Sequence, residues 1–137
     1  MAEILHSVLL GLLLILLGIA GCKDQNNPLI GDSPSDVVFP SSDVSYSAHV
    51  QRLFNQACAL SGCHDDGVAL NRVKLTSYDH LLFDMVGVVV RGKPEESELI
   101  LRIEGRIGQR MPLNLNPLNQ NQINGIRTWI TEGAKNN

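Results

Sequence analysis

Two thiols and an imidazole fall within seven residues, Cys58-Ala59-Leu60-Ser61-Gly62-Cys63-His64. The spacing is close to C-x-x-C-H, in which two cysteines bond the side groups of a c-type haem and the histidine ligates its iron. Here four residues separate the cysteines instead of two. An iron that carries electrons needs a second axial ligand, brought from far along the chain to the opposite face of the ring. A methionine there raises the reduction potential, because thioether sulfur favours ferrous iron. Met85 shares an apolar helical stripe with Leu81 and Leu82, where methionine reads as core filler. His49 and His80 lie on helices beside apolar faces, where lone histidines are more often structural. Met111 sits in a loop between Arg110 and Pro112, and the proline restrains it to extended backbone. That is a good mount for a fixed ligand. Met111 is the favoured sixth ligand; Met85, a histidine or an open position are the alternatives.

The same residues admit blander chemistry. Cys58 and Cys63 could close a local disulfide in an oxidising compartment. They could join His64 on zinc, but a structural zinc site wants four ligands, and adjacent Cys63 and His64 would be cramped on one ion. The chain holds three cysteines, so Cys22 has a separate role.

That role is set by what precedes it. The run from Val8 to Ala20 is apolar but short for a membrane span, and it suits the core of a signal peptide. It ends in Ile19-Ala20-Gly21-Cys22, which resembles the bacterial lipobox, whose cysteine is lipidated and becomes the new N-terminus. No Lys or Arg stands ahead of the apolar run. An ordinary cleaved signal, or an uncleaved anchor with a free Cys22, is the alternative. Several acyl chains on one residue give stable anchoring, each buried methylene contributing about 0.8 kcal/mol. Residues 23–44 are polar and rich in turn formers, with Lys23 against Asp24, Asp32, Asp36 and Asp43. They read as a tether spanning about 25 Å as a coil and roughly 75 Å fully extended.

The elements that must position the chemistry follow from residue 45. Ser45 or Ser47 can cap a helix. Val50, Leu53, Phe54 and Ala57 then form one helical face that leads straight into Cys58. Asp65-Asp66-Gly67 signals a turn. Ser77 can cap a short helix through Leu81, Leu82 and Met85, ended by Gly87, and Val88-Val89-Val90 reads as a short extended run. Pro94 suits the first turn of another helix, with Glu95, Glu96 and Glu98 at its positive end and Leu99, Ile100 and Ile103 on its buried side. The last helix is the best marked. Asn119 and Gln122 form a capping box, Leu118 and Ile123 a hydrophobic staple, and Ile123, Ile126, Trp129 and Ile130 the buried stripe before Gly133. The expected fold is all-α, about four helices with long irregular connections.

Composition bounds the rest. A chain of 137 residues is enough for one domain, and a net charge of −3 without a basic stripe gives no reason to expect nucleic acid. Aromatic content is only 4%, so a buried haem would supply core volume that a small domain otherwise lacks. Arg102, Arg106 and Arg110 could meet haem propionates or an acidic redox partner. The preferred reading is that Arg102 pairs with Glu98 at i, i+4 and the other two are solvated.

From about Ser45 to Asn137 the chain resembles a small class I-like cytochrome c domain, and more narrowly the planctomycete-type cytochrome c modules of bacterial lipoproteins. The resemblance rests on Cys58 to His64, on Gly92-Lys93-Pro94-Glu95-Glu96-Ser97-Glu98-Leu99, on Arg110-Met111-Pro112-Leu113 and on Trp129-Ile130-Thr131-Glu132-Gly133-Ala134. It implies a single haem c bonded through Cys58 and Cys63, with His64 and Met111 axial. It also implies first and last helices packed across each other beside the haem. The longer cysteine loop recurs in that narrower family, and Ser61 and Gly62 could bulge outward while both sulfurs reach the ring. The expected organisation is a lipoprotein signal over 1–21, a tether over 22–44 and a cytochrome c-like domain over 45–137. The expected function is electron transfer outside the cytoplasm, in the bacterial cell envelope, between redox partner proteins and without substrate turnover. The alternatives are a haem-based ligand binder or sensor with an open or displaceable sixth position, and a redox-inactive lipoprotein with a Cys58–Cys63 disulfide.

Overall fold

The computed structural model describes residues 36–137. Among them are helices, turns and irregular connections, and no strand. One π-type turn, Tyr46–Val50, runs without a break into α1, Gln51–Ala57. The Ser45 hydroxyl accepts from Ala48 N–H, while Tyr46 and Ser47 N–H donate to Asn137 Oδ1 and O. The donors that a helix start leaves unpaired are thus satisfied. The Ser45 carbonyl takes both His49 and Val50 N–H, at 3.2 and 3.4 Å, which widens this first turn. Val50, Leu53, Phe54 and Ala57 are all buried, the face expected from their spacing.

A second π-type turn, His80–Asp84, is capped by the Ser77 hydroxyl accepting from His80 N–H. Met85 lies just beyond it in extended backbone, not on a helical stripe. Val88 and Val89 are buried, but residues 86–88 form a turn instead of an extended run. The carbonyls of Gly87 and Val88 accept from Glu98 and Leu99 N–H at 2.9 and 3.0 Å, so this turn caps the next helix. That helix is interrupted. Pro94–Glu96 makes one 3-10 turn, Ser97 breaks it, and α2 spans Glu98–Ile103. Ser97 is fully buried because its hydroxyl accepts from Val90 N–H and donates to the Lys93 carbonyl, both at 2.9 Å. A polar group so placed costs little, since both its roles are filled.

The last helix, α3, spans Gln120–Thr131. Asn119 Oδ1 accepts from Gln122 N–H and Gln122 Oε1 accepts from Asn119 N–H, each at 3.0 Å, the reciprocal box read from the sequence. Ile126, Trp129 and Ile130 are fully buried. Gly133 follows at φ +100°, the left-handed stop that glycine adopts without steric cost. Packing of α3 is against α2 and the 94–96 turn. The start of the first helix meets it through the Tyr46 and Trp129 rings, 5.5 Å apart, with Tyr78 edge-on to Tyr46 at 5.1 Å. Contact between first and last helices thus rests on aromatic rings at one end.

Residues 37–44 correct the expected tether. Val37, Phe39 and Val44 are buried in the core. Phe39 N–H donates to Asn121 Oδ1 at 2.8 Å and its carbonyl accepts from Asn121 Nδ2 at 3.0 Å. Asp43 and Val44 N–H both donate to the Glu132 carboxylate. Phe39 fits over Gly125 of α3, where a Cβ would stand 2.1 Å from the ring. The segment shows no local period because its partners lie on a helix more than 80 residues away. The domain therefore begins by Val37, not near Ser45. The signal segment 1–21 and Cys22 lie outside the described residues. Among the described residues no helix is long and apolar enough to cross a membrane.

Candidate functional site

The end of α1 fixes the first thiol. Cys58 N–H donates to the Phe54 carbonyl at 2.8 Å, and Ala59 N–H shares that acceptor. The chain then closes on itself, with Cys63 N–H on the Leu60 carbonyl at 2.9 Å and His64 N–H on the Cys58 carbonyl at 3.2 Å. Gly62 turns at φ +82°. Asp65 ties the loop from outside, its carboxylate accepting from Gly62 N–H at 3.3 Å and Val68 N–H at 2.7 Å. Those backbone donors hold its pKa below the usual carboxylate value, Val68 contributing most. Ser61 and Gly62 are exposed, while Cys58 and Cys63 are partly buried. The two extra residues point to solvent and the thiols do not.

Both thiols face a cavity of about 190 Å³, which His64, Met85 and Met111 also line. Its walls are mostly apolar, with buried Leu75, Val88, Leu99 and Ile103 beside the less buried Pro112 and Leu113. Every haem-site residue expected from the sequence is therefore on one surface, drawn from the end of α1, the loop after it and the loop after α2. Cys58 and Cys63 are free thiols. Burial, helped by the nearby Cys63, pushes the Cys58 thiol up to about 12. At neutral pH it is a thiol, which argues against an activated nucleophile.

His64 Nδ1 lies 3.0 Å from the Val73 carbonyl. With Nδ1–H donating there, the Nε2 lone pair is left for a metal, the arrangement that orients ligating imidazoles. Leu75 N–H on the His64 carbonyl and Leu70 N–H on the Cys63 carbonyl fold residues 70–75 back over the motif and bring Val73 into place. Val73 is not singled out in the sequence. A backbone acceptor carries no residue-type signal, so nothing in the sequence could have named it.

Met111 stands outside any helix, and its peptide bond to Pro112 is cis. Its N–H donates to the Arg102 carbonyl at 3.0 Å, so the C-terminal turn of α2 fixes the methionine. The two histidine alternatives lie elsewhere. His49 Nδ1 accepts from Ser45 N–H at 3.1 Å with its ring near Phe39. His80 Nδ1 lies 3.1 Å from the Thr76 hydroxyl, near Asp66 and Asp84. Neither lines the cavity. Met85 does, so the thioethers of Met85 and Met111 remain as sulfur donors. Among the described residues no three His, Cys, Asp or Glu side chains converge as a metal site.

Two charged groups interrupt the apolar wall, Glu98 and Arg102. Arg102 Nε and Nη2 both lie 2.9 Å from Glu98 Oε1, the i, i+4 pair expected. Arg110 is exposed. Arg106, expected to be solvated, pairs instead with Glu95 and Glu104. Comparison with protein-family models, with curated proteins and with solved structures finds no match for this chain.

Proposed function

We propose that the chain is a membrane-anchored, mono-haem c-type cytochrome that carries electrons outside the cytoplasm. The observation that carries this reading is a single apolar cavity lined by Cys58, Cys63, His64 and Met111, residues contributed by separate segments. The donor set suits the group: two thiols for covalent attachment, an imidazole whose other nitrogen is already engaged, and a soft thioether. When bound, the haem supplies a one-electron iron couple. The protein's part is to hold it. Cys58 and Cys63 would fix the ring to the chain. Val73 orients the His64 imidazole. The Arg102 carbonyl mounts Met111, whose sulfur favours ferrous iron. The apolar walls would limit water around the group. With His64 and Met111 both holding the group, no iron position would be left for a substrate, which fits a carrier better than an enzyme. Lipidation at Cys22 would place the domain at a membrane of the bacterial envelope, within reach of redox partner proteins.

The test is expression in a haem-attaching host followed by denaturation. Haem should remain on the polypeptide and be lost from it in Cys58→Ala/Cys63→Ala. Release of all colour from the wild type on denaturation, or a colourless product, overturns the proposal. Carbon monoxide binding by the reduced wild type would point instead to a displaceable sixth ligand.

A further inference from the structure

Residues 66–76 leave the cysteine–histidine motif and fold back over it. The Thr76 hydroxyl donates to Asp66 Oδ1 at 2.8 Å, which joins the two ends of the loop. Compact surface loops with joined ends are frequently functional. Three bonds hold this one on the motif: Leu70 N–H on the Cys63 carbonyl at 2.9 Å, Leu75 N–H on the His64 carbonyl at 3.0 Å, and His64 Nδ1 on the Val73 carbonyl at 3.0 Å. Packing adds little. No side chain from 66 to 74 is fully buried, and Val73 alone among them packs, half-buried, against the core. Segments with so few buried contacts open at low free energy. The backbone works against closure. Ala69, Asn71 and Arg72 stand at φ +45°, +55° and +66°. Asparagine tolerates the left-handed region, but alanine and arginine meet a steric cost there. The loop is also a wall of the cavity, through Leu70, Asn71 and Val73. Leu70 is still 44% exposed, so an occupant would cover it further. A ligand shifts a conformational equilibrium only by its differential affinity for the two forms. Here the closed form offers an occupant Leu70, Asn71 and an imidazole already oriented by Val73; an open form offers none of these.

We propose that residues 66–76 form a strained strap that opens to admit the cavity's occupant and closes behind it, setting the His64 imidazole as it shuts. The strain at Ala69 and Arg72 keeps the open form within reach. Contact of the occupant with Leu70 and Asn71 supplies the bias that closes it. Orientation of His64 is thereby coupled to filling of the cavity. The inference rests on the haem reading for the identity of the occupant, but the opening itself belongs to the empty protein.

The experiment follows amide hydrogen exchange, residue by residue by NMR, in the full-length protein without haem and in the reduced, haem-loaded protein. Leu70 and Leu75 N–H report the strap, and Ile126 N–H in α3 reports global unfolding. Without haem, Leu70 and Leu75 should exchange faster than Ile126 and with little dependence on low urea. Ala69→Gly removes the steric cost and should slow their exchange by about three- to tenfold; Ala69→Val adds a β-branch at the same φ and should speed it by a similar factor. Loading with haem should slow both amides at least about tenfold, with the two variants converging on wild type. If Leu70 and Leu75 exchange at the rate of Ile126, the strap opens only with the whole domain and the inference fails. It fails equally if Ala69→Gly and Ala69→Val match wild type. If haem binds without protecting the two amides, the coupling fails while the haem reading stands. If the variants behave as expected but no haem is taken up, the strap stands and the haem reading falls.

Discussion

At the scale of single residues, the site is defined by which atoms are already engaged. His64 has Nδ1 committed to the Val73 carbonyl, which fixes the tautomer and leaves Nε2 available. His49 and His80 have their Nδ1 atoms engaged by Ser45 N–H and the Thr76 hydroxyl, away from the cavity. On the proposed haem reading, the two methionines in its wall are the candidates for a protein sixth ligand, beside an open position. Met111 has its backbone tied to α2, and Met85 does not, so Met111 is expected to bind iron. In haem-loaded protein, Met111→Ala should abolish the methionine–iron spectral signature and admit carbon monoxide to the reduced form. Met85→Ala should leave both unchanged. The reverse pattern would reassign the ligand to Met85.

At the scale of elements, two junctions hold the site in place. The first is Phe39 over Gly125. A glycine inside a helix costs about 1 kcal/mol relative to alanine, and here the gap is filled by the ring. Phe39→Ala should destabilise the domain by roughly 3–5 kcal/mol in urea denaturation. Gly125→Ala should also destabilise, because its Cβ meets the ring, yet become neutral or stabilising when Phe39 is already alanine. Simple additivity of the two changes would mean that residues 37–44 are not docked as described. The second junction is the cluster of Glu95 and Glu104 with Arg106 and Arg127, which joins the 94–96 turn and the end of α2 to α3. Hydrogen bonds from Arg127, then from Arg106, lower the Glu95 carboxyl to about 2. Its folded pKa lies below the unfolded value, so its contribution is complete above about pH 4.5 and is lost as pH falls toward 2. Thermal melts between pH 6 and pH 2 should show a smaller acid-induced loss in Glu95→Gln than in wild type. Parallel curves would show that the exposed cluster does not couple to folding.

At the scale of the whole molecule, docking residues 37–44 onto the domain would shorten the link to the lipid proposed at Cys22. Residues 23–36 would span at most roughly 50 Å when fully extended, instead of the roughly 75 Å expected for the longer tether. On the proposed function, an electron carrier so tied would meet its partners close to the membrane surface. On the lipoprotein proposal, wild type should partition into the detergent phase of a cloud-point extraction and Cys22→Ala into the aqueous phase. Equal partitioning would remove the lipid anchor and leave the haem reading intact.

The elements most legible in the sequence were those whose signals are local. The Asn119–Gln122 box, the stripe Val50, Leu53, Phe54 and Ala57, and the stop at Gly133 all depend on residues within a turn or two of one another, so spacing sufficed. The candidate site was legible for a related reason: cysteine, histidine and methionine are scarce, and their types announce a chemistry before any fold is known. What only the tertiary structure decided involves partners with no local pattern. Phe39 is buried because Asn121 and Gly125 receive it. Gly87 and Val88 cap a helix because Glu98 and Leu99 turn their N–H groups toward the two carbonyls. His64 is oriented by a carbonyl that any residue at position 73 could supply. The four-residue loop between Cys58 and Cys63 shows both sides. Its length and the turn residues Ser61 and Gly62 were plain in the sequence, but only closure by the Cys58 carbonyl and the Asp65 carboxylate sends the extra residues outward and keeps both thiols facing the cavity.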